Sequence, residues 1–144
     1  MTNQTMPANS HVLSIPPDAR PVLVGIVGPA SAEAALRAGF ERAEAYGTFV
    51  LAVCAGRASA ADEVFLRDLI ERWAEKFPAV PVKIRIRRTV DAAVTLVAAA
   101  RPCGVVVLPA SSDPVVAAVT TAVARRARCP VIVVGPAEAG TPFH

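Results

Sequence analysis

Apolar and polar positions along the chain alternate between two kinds of period. Val22, Leu23, Val24, Gly25, Ile26 and Val27 form an unbroken apolar run, as a strand covered on both faces of a parallel sheet requires. Gly28 and Pro29 end it. Ser31 is placed to cap a helix whose apolar side carries Ala32, Leu36, Phe40 and Ala43, with Glu33 and Arg37 four apart on the outside and Gly47 closing it. Thr48 to Val53 reads as a second buried strand. The clearest periodicity follows: Leu66, Leu69, Ile70, Trp73, Ala74 and Phe77 recur at i, i+3, i+4, i+7, i+8 and i+11, with Arg67, Asp68, Glu71, Arg72 and Glu75 on the remaining face. Pro78 and Pro81 stop this amphipathic helix.

The third strand, Val82 to Arg88, alternates strictly, with Val82, Ile84 and Ile86 on one side and Lys83, Arg85 and Arg87 on the other. A helix from Asp91 to Arg101 follows Thr89, then a fourth buried strand from Val105 to Leu108. Asp113 followed by Pro114 is a start signal, with a carboxylate at the cap and proline at the first helical position. Arg125, Arg126 and Arg128 mark that helix's end, where cations suit the negative pole. Val131 to Val134 is the last strand. Five strands alternating with four helices predict a three-layer α/β/α domain, Rossmann-like, with a parallel sheet and right-handed crossovers.

An open sheet has two rims, each guarded by charge or proline unless something covers it. Lys83, Arg85 and Arg87 guard the third strand. The fifth, Val131, Ile132, Val133 and Val134, carries no charge. Placed at the other rim, it predicts a homodimer in which its copy in a second subunit covers it. Residues 1–19 lack periodicity and contain Pro7, Pro16 and Pro17, so they are expected to form a disordered tail; residues 137–144 form another, leaving 20–136 as the folded domain.

With 144 residues and 53% hydrophobic composition, the chain has ample material for one core. The net charge is +3 and the cations are dispersed along the chain among twelve acids. That spacing, together with few aromatic residues, argues for solvated surface and against a nucleic-acid stripe. No basic start followed by an apolar run is present, nor a run of about 18 uncharged apolar residues, so neither a signal peptide nor membrane contact is expected. Cys54, Cys103 and Cys129 are an odd number without C-x-x-C spacing, which fits reduced thiols in the cytoplasm. Histidine occurs only as His11 and His144, both in the expected tails. The folded part therefore offers no imidazole for a catalytic base or metal site, and the expectation is no catalytic residue and no metal. The pairs Asp62 with Glu63, and Glu71 with Glu75, read as a solvated helix face.

The string VLVGIVGPASAEAALRAGF, Val22 to Phe40, resembles the opening of universal stress proteins, where a strand ends in V-D-G-S and enters a helix of the S-x-x-A-L type. Arg125, Arg126, Ala127 and Arg128 followed by CPVIVV resemble the family's basic helix end and final strand. The similarity spans about Arg20 to Pro136. It implies a five-stranded sheet of order 3-2-1-4-5, of the adenine nucleotide alpha hydrolase-like kind, and dimerisation through the fifth strand.

The same resemblance implies where an ATP site would lie. Family members that bind ATP carry an aspartate at the end of the first strand and a G-x-x-G-x9-G-[ST] loop after the fourth. Here Val27 stands in place of the aspartate, Pro109 and Ser112 at the first two glycines, and Ala117 and Ala118 at the third glycine and the hydroxyl. The spacer is about five residues shorter than the motif, and no glycine lies between Gly104 and Gly135. Asp113 adds a negative charge where phosphate would approach. The expectation is a non-enzymatic regulatory or interaction module in stress response, without cofactor and not holding ATP in the family's manner, with an unidentified protein partner as a further option. The alternative is a sensor of ATP, cyclic AMP or another small ligand in a residual pocket near Val27, Val53, Ser111 and Ser112. Cys103 and Cys129 precede neighbouring strands, so a redox bridge stands beside the default of inert buried thiols.

Overall fold

Five parallel strands and four helices alternate in a computed structural model that describes residues 19–29, 32–57 and 59–135. The strands are β1 (Val22–Ile26), β2 (Val50–Gly56), β3 (Val82–Arg88), β4 (Val105–Pro109) and β5 (Val131–Val134). The helices are α1 (Ala32–Tyr46), α2 (Ala60–Lys76), α3 (Ala92–Ala99) and α4 (Pro114–Arg126). Apart from Ala19, the two expected tails lie outside the described residues, as do the Ser31 cap, His11 and His144.

The sheet order is β3-β2-β1-β4-β5, as the resemblance implies, with β3 and β5 at its two rims. Every β1 residue is buried. The period of two sorts the strands onto two cores. Val22, Val24, Ile26, Val50, Ala52 and Cys54 pack beneath α1 and α2 with Leu36, Phe40, Leu66 and Ile70. Leu23, Leu51, Val53, Val106 and Leu108 pack on the other side with Leu96 of α3 and Val123 of α4. Gly25 permits that second contact. A Cβ there would lie 2.6 Å from Leu108 Cδ2 and 3.3 Å from both methyls of Leu96.

The apolar stripe of α2 behaves as its spacing predicts: Leu66, Leu69 and Ile70 are buried, and Trp73, Ala74 and Phe77 pack against the same core. Gly47 ends α1 with φ +69, the left-handed backbone that glycine adopts at no steric cost. β1 ends one residue earlier than its apolar run, at Ile26, and β4 one residue later than expected, at Pro109; larger differences fall at β2 and α3. β2 starts at Val50 and runs to Gly56, because Thr48 serves the end of α1: its N–H donates to Ala43 at 2.9 Å and its hydroxyl to the Arg20 carbonyl at 3.0 Å. α3 stops at Ala99, where Ala100 N–H bonds back to Leu96 and Val97 and Pro102 forbids another turn. On the outside of α1, Arg37 pairs with Glu41 at 3.3 Å and not with Glu33.

Candidate functional site

The carboxyl ends of β1, β2 and β3 open into a cleft of about 370 Å³. This is the edge of an open α/β sheet where ligands bind. Its floor is Ile26, Val27 and Cys54 to Gly56; one wall is the end of β3, and Asp62 and Leu66 of α2 and Val115 and Val119 of α4 complete it. Arg57, Arg87 and Arg88 are the cations lining it.

Most polar groups at its rim are already engaged. Ser59 caps α2 through a reciprocal box: Asp62 N–H donates to Ser59 Oγ at 3.1 Å, and Ser59 N–H donates to Asp62 Oδ2 at 3.2 Å. Arg88 donates to Glu63 Oε2 at 2.6 Å, tying the end of β3 to the first turn of α2, and Thr89 N–H closes onto the Gly56 carbonyl at 3.0 Å. The adjacent carboxylates Asp62 and Glu63 thus have separate structural tasks. Both ties were within reach of sequence reasoning only in part. The cap shows as Ser59 with an acid three residues on, whereas the Arg88–Glu63 pair spans 25 positions and leaves no local mark. The Cys54 thiol on the floor is pushed up to about 11 by burial, with Arg67 lowering it and Glu63 raising it. It stays protonated, and therefore a poor nucleophile, at neutral pH.

The sequence-predicted positions divide between the cleft and its surroundings. Val27, just past the end of β1, is half-buried and lines the cleft, so a branched hydrocarbon and no carboxylate stands there. Val53 is 1% exposed inside the second core. Pro109 is buried as the last residue of β4, opposite Val134. Ser111, Ser112, Ala117 and Ala118 lie outside the cleft lining, and Ala117 and Ala118 sit exposed on α4.

Three N–H groups in and just after the loop from Pro109 to Pro114 already have acceptors within the chain. Ala110 N–H donates to the Val134 carbonyl at 2.7 Å, Asp113 N–H to Ser111 Oγ at 3.0 Å, and Val115 N–H to Asp113 Oδ1 at 2.8 Å. Pro109 and Pro114 have no N–H to offer. The Asp113 carboxylate occupies the N-cap of α4, the position an anion would take.

Cys103 and Cys129 are free thiols packed around the second core. Burial, reinforced by the neighbouring Cys129 thiol and opposed by Arg85, pushes Cys103 up to about 11. Among the described residues no group of side chains suits a metal ion, and no helix is long and apolar enough to cross a membrane.

No protein-family model matches the sequence and no curated protein is significantly similar to it. Solved structures do resemble it. The universal stress protein UspA from Lactobacillus plantarum superposes with a TM-score of 0.66 at 17% identity, over 81% of this chain and 98% of that one. A universal stress protein in complex with cAMP gives 0.62 at 22% identity, over 81% and 98%. The universal stress protein from Archaeoglobus fulgidus in complex with dAMP gives 0.56 at 19%, over 79% and 96%.

Proposed function

The chain has the universal stress protein fold, and from that premise we propose that it is a regulatory or interaction module of the stress-response kind, non-enzymatic, and without the family's grip on ATP. The observation that carries this reading is the loop after β4. Phosphate binding at such a turn needs unpaired N–H groups and a helix N-terminus open to an anion. Here the donors of Ala110, Asp113 and Val115 are used internally, prolines hold two more positions, and the Asp113 carboxylate sits at the helix end. A triphosphate brought there meets a like charge and a turn with three of its donors already engaged.

The module works as a homodimer in the cytoplasm, joined along β5. The support is that β5 lies at a rim and bears no charge, and that Val133 is 46% exposed on this wholly apolar strand.

A second reading draws on the cleft. Arg57, Arg87 and Arg88 border an apolar floor, and two proteins of this fold are described in complex with cAMP and dAMP, so a nucleoside monophosphate is the ligand class this alternative names.

One experiment decides between them. Amide shifts of the labelled protein are followed with ATP and with cyclic AMP, and the same samples are weighed under native conditions. The first reading expects two chains per particle and unmoved amides at Ser111, Ser112, Gly56 and Thr89. Saturable cyclic AMP shifts at Gly56 and Thr89 establish the second reading; ATP shifts at Ser111 and Ser112 overturn the first.

A further inference from the structure

At the opposite, amino end of the sheet, the C-terminal ends of α3 and α4 flank a second concavity, of about 590 Å³. Val97, Ala100 and Ala127 give it an apolar lining, and Arg101, Arg126 and Arg128 supply all its charge. No carboxylate lines it. The ion pairs among the described residues are Arg37–Glu41, Arg72–Asp68 and Arg88–Glu63, so none of these three guanidinium groups is neutralised by an acid.

The folded chain segregates charges that the sequence interleaves. The acids of the helical layers are concentrated on α1 and α2, as Glu33, Glu41, Glu44, Asp62, Glu63, Asp68, Glu71 and Glu75. On the α3–α4 side the described acids are Asp91 and Asp113, both N-caps at the far, carboxyl edge. Pairing of Leu51 with Lys83, Val53 with Arg85 and Ala55 with Arg87 turns these β3 cations toward that same side. A helix end draws a cation through its dipole, and Arg125 and Arg126 in the last turn of α4 meet that need. It does not by itself account for Arg101, from beyond the end of a different helix, converging with Arg126 and Arg128 on one groove.

We propose that this groove binds a di- or oligophosphate by its oxygens, at the sheet edge away from the cleft. Guanidinium forks match phosphate oxygens two at a time. A single phosphate monoester carries about −1.5 to −2 at pH 7, less than three arginines balance, so a chain of two or more phosphates fits the charge. The lining has no aromatic residue and no side-chain amide, hence nothing to stack on a base or read its edge.

The test uses the full chain and inorganic tripolyphosphate, followed by calorimetry and by the arginine Nε–H resonances, at low and at physiological salt. Saturable binding is expected, with shifts at Arg101, Arg126 and Arg128 and unmoved amides at Gly56 and Thr89. Arg101→Gln and Arg128→Gln should each weaken it by about tenfold, the worth of one charge-assisted hydrogen bond. Arg37→Gln, on the acidic side, should leave it unchanged. ATP binding no tighter than tripolyphosphate would confirm that the phosphate chain alone is read. Absence of saturable binding, wild-type affinity in the two groove variants, or duplex DNA outcompeting tripolyphosphate would overturn the proposal, the last by making the surface a nucleic-acid one.

Discussion

Phe40, Leu36, Leu66 and Ile70 fill the side of the sheet beneath α1 and α2, whereas the side beneath α3 and α4 is filled by Leu96, Leu108, Val123 and a set of alanines. The helices differ in the same sense. α1 buries Ala32, Ala35, Leu36, Gly39, Phe40 and Ala43, but α4 buries only Val123 and leaves Val115 69% exposed at its start. Phe40 stacks on Phe77 at 5.5 Å, which Trp73 extends at 6.4 Å; the second core has no aromatic member. One side therefore holds the fold together, and the other, thinner and basic, is left available for contacts. Buried apolar volume and surface charge have been allotted to different faces of one sheet.

The sharpest way to break this comparison is to delete core volume on each side. Phe40→Ala should cost about 3–5 kcal/mol, as large aromatic deletions do, and Val123→Ala about 1.5 kcal/mol, two buried methylene equivalents. Denaturant midpoints compare them, and equal losses would show that the two sides contribute alike.

Next in size is a pH effect, because each core buries a raised thiol, Cys54 on the α1–α2 side and Cys103 on the other. A thiol near 9 when unfolded and near 11 when folded is protonated longer in the native state. Its stabilising contribution is complete below pH 9 and is lost as pH rises toward 11. Thermal melts across that window should fall in the wild type, and less steeply in Cys54→Ala and Cys103→Ala; a wild-type curve flat through it would contradict the burial argument. The smallest effect is expected at the thin side's helix start. Asp113→Ala removes the N-cap of α4 at a cost of about 1 kcal/mol, read from the midpoint shift, while an unchanged midpoint would mean that the carboxylate caps nothing.

The strands and helices were legible because their signals are local. The stripe from Leu66 to Phe77 and the alternation from Val82 to Arg88 each declare an element within a dozen residues, whereas the place of β5 at a rim follows only from the strand order that the family resemblance implies. β2 was misplaced by two residues at its start because Thr48 looks like strand but is drawn into the end of α1 by bonds to Ala43 and Arg20. Of the cleft only Val27 was legible, since Val27, Gly56 and Thr89 meet only after two crossovers have folded. The basic side was hidden for the same reason. Along the chain Arg85, Arg101 and Arg128 stand tens of residues apart with acids between them, and only the layering brings them to one face.

The brevity of α3 reaches further than its own turns. At eight residues it spans only about 12 Å along the strands, and it packs mainly on β2 and α4, which leaves the outer flank of β3 little helix above it. There the hydrocarbon stems of Lys83, Arg85 and Arg87 must serve as shingles over Leu51, Val53 and Ala55, their registered neighbours. Each of these cations is thus both a charge and a length of thatch. Replacing one by glutamine removes the charge and spares much of the cover; replacing it by alanine strips both and lets water reach the strand.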